Sequence, residues 1–134
     1  MRVSQRTEYG IRAMIALARE FDGKLSIKEL ARREAIPETF LEQIMSELRR
    51  AGLLESTRGS QGGYRLKSPP SRITVSEVVE TLEGSLSPAR CGSDCSRQDG
   101  CSTRSVLERI ERSITETLDG INLQDLIVEG ATNE

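Results

Sequence analysis

Apolar residues recur at three- and four-residue steps along most of this chain, and short polar or glycine-bearing breaks separate the runs. In residues 7–20, TEYGIRAMIALARE, Ile11, Met14, Ile15, Leu17 and Ala18 have the spacing of one helix face. Asp22–Gly23 interrupts it. Ser26 followed by Glu29 reads as a capping box for a short helix carrying Ile27, Leu30 and Ala31. Ala35–Ile36–Pro37 breaks the pattern again, with Pro37 suited to the first turn of a third helix. There Phe40, Leu41, Ile44, Met45 and Leu48 predict a buried stripe, and Gly52 a stop. The other face shows Glu38, Thr39, Glu42, Gln43, Ser46, Arg49 and Arg50. Three short helices with tight breaks predict a helix-turn-helix unit.

The pattern then changes period. LLESTRGSQGGYRLK reads as a β-hairpin, with strands Leu53–Thr57 and Tyr64–Lys67 around the tip Arg58-Gly59-Ser60-Gln61-Gly62-Gly63. Three glycines at the tip predict positive φ angles. A hairpin directly after a helix-turn-helix makes a winged helix, so the expected fold is mainly α with one small β-hairpin. Ser68-Pro69-Pro70-Ser71 marks an exit. Residues 74–83 predict a helix with Val75, Val78, Val79 and Leu82 inward and Thr74 or Ser76 near its cap. A longer helix follows over about 103–119, where Val106/Leu107, Ile110, Ile114 and Leu118 make one stripe. Its length relative to the head predicts a dimer interface through Leu107, Ile110, Ile114 and Leu118, with packing of the stripe on its own domain as the alternative. The closing INLQDLIV offers Ile121, Leu123, Leu126 and Ile127 as docking residues. The expected division is a winged helix-turn-helix domain over 1–83, a cysteine-containing loop over 84–102, and a dimerisation helix and tail over 103–134.

Composition sharpens this picture at two points. Among 134 residues there is no tryptophan and no histidine, and aromatics are 3%. The core must therefore be aliphatic and modest, and association would bury more apolar surface. The net charge of −2 also conceals a split: residues 1–72 carry 14 Lys/Arg against 9 Asp/Glu, and residues 73–134 carry 5 against 12. A basic front predicts a polyanionic partner. The start lacks an apolar leader pattern, and no run of 18 apolar residues occurs, so a cytoplasmic protein without membrane attachment is expected. No glycine loop for a substrate and no acid–base pair in a recognisable pocket point to an enzyme, and no small-molecule substrate is expected.

Short polar side chains near the start of a recognition helix can reach base edges in the major groove. Thr39, Glu42 and Gln43 occupy such positions: Glu accepts from cytosine, Gln pairs with adenine, and Thr touches base or phosphate. Arg49 and Arg50 lie further along and suit phosphates. Arg58 on a glycine-rich tip suits the narrow minor groove. Gly59 and Gln61 share that tip, while Tyr64 either anchors the hairpin base or fills core.

The stretch FLEQIMSELRRAGLLESTRGSQGGYRL, with TEYGIRAMIALA, ITVSEVVETLEG and the closing CSTRSVLERI…TLDGINLQDLI, resembles the Rrf-type winged-helix repressors over nearly the whole chain. That family includes regulators of iron–sulfur cluster supply, of nitric-oxide response and of cysteine metabolism. The resemblance implies a homodimer crossing long C-terminal helices on a pseudo-palindromic double-stranded DNA operator. It places the base-reading positions on Thr39, Glu42 and Gln43, and the wing arginine on Arg58.

All three cysteines, Cys91, Cys95 and Cys101, fall within eleven residues at C-x3-C-x5-C. Thiolates hold iron–sulfur clusters and zinc firmly. Three of them leave a position open, and no histidine exists to close a zinc site. Arg90, Arg97 and Arg104 nearby would favour thiolate. In cluster-binding members of the family the three matching cysteines hold an iron–sulfur cluster. The fourth ligand there is a histidine three residues after the last cysteine, or a carboxylate near the partner subunit's N-terminus. Arg104 occupies the first of these places, whereas Glu8 matches the second. The first cysteine spacing is shorter than in those members, which leaves ligand set and nuclearity open; 2Fe–2S is the expectation and 4Fe–4S the alternative. A cluster-free thiol switch, or control by a partner protein or metabolite, is the competing expectation.

Overall fold

A computed structural model describes residues 3–84 and 102–132. Helix α1, Gln5–Arg19, starts where the Ser4 side chain accepts from the Thr7 N–H. It buries Ala13, Met14, Leu17 and Ala18, with Ile11 and Ile15 half-buried. Helix α2, Ile27–Glu34, is capped by Ser26, whose hydroxyl accepts from the Glu29 N–H at 3.1 Å. The reciprocal half of the expected capping box is not made. The Glu29 carboxylate instead accepts from Arg32 and Arg33, because charge-assisted bonds outcompete a neutral backbone donor. Helix α2 ends at Ala35, which takes the left-handed conformation at φ 54°. Helix α3, Glu38–Arg50, follows, and Pro37 sits just outside it as the N-cap rather than within its first turn. Leu41, Ile44, Met45 and Leu48 are buried and Phe40 is half-buried, as the stripe predicts.

Strands β1, Leu54–Thr57, and β2, Gly63–Leu66, pair antiparallel in the register Leu54↔Leu66 to Thr57↔Gly63. The expected hairpin forms with slightly displaced ends, because Gly63 joins the ladder. Of the three tip glycines only Gly59 has positive φ, at 107°. Gly63 serves another purpose: a Cβ there would lie 2.6 Å from the Leu25 carbonyl oxygen. Leu25 pairs with Tyr64 through two backbone hydrogen bonds of 2.8 and 3.0 Å, an isolated antiparallel bridge at the hairpin base. Tyr64 is half-buried there, and its ring packs against the core.

A single 3-10 turn, Pro70–Arg72, leads to α4, Val75–Glu83, which Thr74 and Glu77 start with a complete capping box. Val75, Val78, Val79 and Leu82 are buried as expected. Gly10 of α1 lies under Leu82, where a Cβ would meet a methyl group at 2.1 Å, so α1 and α4 pack closely. Helix α5, Ser102–Asp119, and helix α6, Leu123–Thr132, complete the described chain. Residues 121–123 pair with 73–75 through Val75 N–H to Ile121 O (2.8 Å) and Leu123 N–H to Ile73 O (3.0 Å). Leu123 is fully buried in the head's core, and α6 packs on α1. The result is a mainly helical winged helix whose tail returns to it.

Candidate nucleic-acid interface

The buried stripe of α3 fixes which residues face outward. Thr39, Glu42, Gln43, Arg49 and Arg50 are all exposed, and Ser46 is half-buried beside them. At 1.5 Å per residue, positions 39–50 run for about 16 Å, enough for one passage of the major groove. Arg49 Nη1 donates to Ser56 Oγ at 3.3 Å and so leans towards β1. Arg50 reaches back to Ser46 Oγ at 3.5 Å, a long contact that leaves it available.

Arg58, Gly59 and Gln61 are exposed on the hairpin tip, and Arg65 pairs with Glu55 across the strands at 3.0 Å. A cleft of about 350 Å³ separates the tip from the start of α2, lined among others by Ser26, Arg49, Ser56, Arg58 and Tyr64. Two guanidinium groups and the N-terminus of α2 thus face one space, a favourable setting for a phosphodiester. The helix periodicity singled out Arg49, and the glycine-rich hairpin tip Arg58, but neither signal reached Ser56 or the place of Ser26 in this cleft, which depend on strand register and on the turn between α1 and α2. A neighbouring depression is lined by Lys28, Arg32, Ile36 and Glu38. Glu29 lies between them, its carboxyl held below the usual range by hydrogen bonds from Arg32 and then Arg33. These two arginines are correspondingly raised above their ordinary value, first by the same hydrogen bonds.

The stripe of α5 has no buried residue in the single chain. Leu107, Ile114 and Leu118 are half-buried, while Val106 and Ile110 are 54% and 39% exposed. Val106, Arg109, Ile110, Ser113 and Ile114 line a shallow groove along it. Glu8 is exposed on the first turn of α1. Cys91, Cys95 and Cys101 lie outside the described residues, as do Arg90 and Arg97. Arg104 is engaged with Glu108 one helical turn on, Nε to Oε1 at 3.0 Å, which directs its charge along α5. Among the described residues no group of three or more metal-ligating side chains occurs, and no helix is long and apolar enough to cross a membrane.

A helix-turn-helix with a basic hairpin beside its exposed recognition helix defines a winged-helix DNA-binding regulator. The model of the Rrf2 family, described as an iron-dependent transcriptional regulator, matches residues 3–129, and the chain belongs to that family. It is 38% identical over 127 residues to the HTH-type transcriptional regulator CymR of Bacillus subtilis, spanning 94% of this chain and 89% of that one. Among solved structures, the T. potens IscR superposes with a TM-score of 0.82 at 40% identity, covering 97% of this chain and 88% of that one. CymR (YrzC), the global cysteine regulator of B. subtilis, superposes with 0.84 at 36% identity, covering 96% and 98%. The chain is a transcriptional regulator and not an enzyme.

Proposed function

We propose that this protein is a homodimeric cytoplasmic repressor of cluster-assembly genes whose grip on a pseudo-palindromic operator depends on an iron–sulfur cluster held by Cys91, Cys95 and Cys101. The observation that carries this reading is the concentration of every thiol in the chain between α4 and α5. Three soft ligands at that spacing suit a cluster, and no histidine is present to complete zinc instead. The family's description as iron-dependent supports the same chemistry. Glu8 of the partner subunit is the fourth ligand in this scheme; its exposure on α1 supports that role. When bound, the cluster supplies a centre that is gained, lost or oxidised as iron and sulfide supply changes. The 2Fe–2S form needs four terminal ligands, which three cysteines and one carboxylate provide.

On DNA, Thr39, Glu42 and Gln43 read base edges, Arg49 and Arg50 meet phosphates, and Arg58 enters the minor groove with Gly59 and Gln61 beside it. Tyr64 holds the hairpin base against Leu25. The α5 stripe of Leu107, Ile110, Ile114 and Leu118 joins the two subunits, because its half-buried and exposed apolar residues otherwise stay in water.

Anaerobic reconstitution with iron and sulfide tests the sensor. The expected product is coloured, with charge-transfer bands that Cys95→Ala abolishes and Glu8→Ala alters. A protein that stays colourless refutes cluster ligation. The 38% identity to CymR and its well-superposed structure favour a second reading, a cluster-free repressor of sulfur metabolism controlled by thiol state or a partner. That protein would stay colourless, and its operator affinity would respond to oxidant or to a sulfur metabolite instead.

A further inference from the structure

The N-terminal turn of α1 is held from two sides by groups far away in sequence. Glu83, the last residue of α4, accepts the Ser4 N–H on Oε1 at 2.6 Å. The hydroxyl of Ser4 accepts from the Thr7 N–H at 3.3 Å, and Thr7 is fully buried beneath it. Two residues along, the Arg6 guanidinium forms an ion pair with the Glu47 carboxylate of α3. Glu47 stands one helical turn beyond Gln43, on the flank of the outward face that carries Thr39, Glu42 and Gln43.

Leu41, Ile44, Met45 and Leu48 seat α3 in the core through apolar contacts, which are non-directional. A directional clasp on its flank limits its rotation and tilt. Base readout tolerates little misplacement, because each bidentate contact needs both donor and acceptor in register.

We infer that Arg6 and Glu83 are positioning residues for operator binding: through the first turn of α1 they lock the recognition helix against α4. The inference rests on the DNA-binding reading above. Glu83 adjoins Gly84, the last described residue before the cysteine-bearing stretch, so the clasp starts where that stretch leaves the head.

The experiment uses the full chain and a duplex selected from random sequence by the wild-type protein, with affinity read by anisotropy over a range of salt. Arg6→Ala and Glu83→Ala are each expected to weaken binding about 5- to 20-fold, or about 1–2 kcal/mol. For Arg6→Ala the melting temperature should change little, since an ion pair this exposed contributes little stability (side chains about a third exposed). The slope of log affinity against log salt should stay at the wild-type value, because neither residue touches a phosphate. The charge-swapped pair Arg6→Glu with Glu47→Arg should recover most of the loss in Arg6→Ala. Should Arg6→Ala fail to fold, Glu47→Gln reads out the same clasp with a smaller loss.

Wild-type affinity in both alanine variants overturns the inference. A salt slope reduced by about one in Arg6→Ala also overturns it, by making Arg6 a direct phosphate contact. If wild-type protein selects no duplex, the operator reading itself falls and takes the inference with it.

Discussion

The Glu83 carboxylate accepts the Ser4 N–H, and hydrogen bonds from Ser4 and Thr7 together with the charge of Arg6 hold it below the ordinary carboxylate value of 4.5. A depressed folded-state pKa means that ionised Glu83 stabilises the fold above the ordinary value, and that this contribution disappears as pH falls through the folded one. Melting temperatures of wild type and Glu83→Gln should therefore differ most near neutral pH and converge in acid; a constant difference would contradict the linkage. Ala35 offers an independent test. Its left-handed φ of 54° strains a side-chain-bearing residue by about 1–2 kcal/mol, and glycine removes this strain at a backbone-entropy cost of about 0.5–1 kcal/mol. Ala35→Gly should raise stability by about 0.5–1 kcal/mol in denaturant titration, whereas a loss would place the strain elsewhere. Single residues were legible where a period governs them: Thr39, Glu42 and Gln43 face out because Leu41, Ile44 and Leu48 face in. The Ser4–Glu83 contact, 79 residues apart, follows no period and needed the fold. Glu29 shows the intermediate case, a cap motif read correctly in spacing but diverted by two neighbouring arginines.

Element boundaries followed the sequence wherever caps or glycines end a run, as at Ser26, Thr74 and Gly52. The isolated bridge of Leu25 with Tyr64 was not legible, since one residue cannot show a period of two. That pairing fixes the hairpin relative to α2 and so aims Arg58. Arg58→Ala should weaken operator binding by about 1–3 kcal/mol. If Arg58 instead waves free of DNA, affinity will not move. The α5 stripe was legible as a face, and its exposure in the single chain follows from unequal lengths. Helix α4 starts beside the end of α5 and rises about 14 Å over nine residues, against about 27 Å over eighteen for α5. The N-terminal half of α5 therefore outruns its neighbour, and Val106 and Ile110 are left in water. Ile110→Glu places a charge in the proposed subunit contact and should shift sedimentation from dimer to monomer while circular dichroism stays helical. A dimer that survives this change must use another surface.

At the scale of the whole molecule, the pairing of 121–123 with 73–75 closes the chain into one unit, so α5 is anchored to the head at its C-terminal end and the cysteine-bearing stretch connects its other end to α4. A change in that stretch reaches the head at Glu83 and the proposed dimer helix at Ser102 simultaneously. This would give the proposed sensor a physical route to the tilt of the recognition helix, with α1 linking α4 to α3 within each chain. Linkage then makes the proposal quantitative. If the loaded protein binds its operator more tightly by a factor of about 5–150, a coupling of about 1–3 kcal/mol, the operator must favour cluster retention by the same factor. Chelator titrations followed by visible absorbance, with and without a selected duplex, measure this directly. The midpoint should move to higher chelator when DNA is present, by the ratio of the two operator affinities measured separately. Equal midpoints alongside unequal affinities would violate reciprocity and show that the affinity difference comes from thiol oxidation or altered dimerisation, not from the cluster. Equal midpoints with equal affinities would leave a regulator that binds metal without reading it out on DNA.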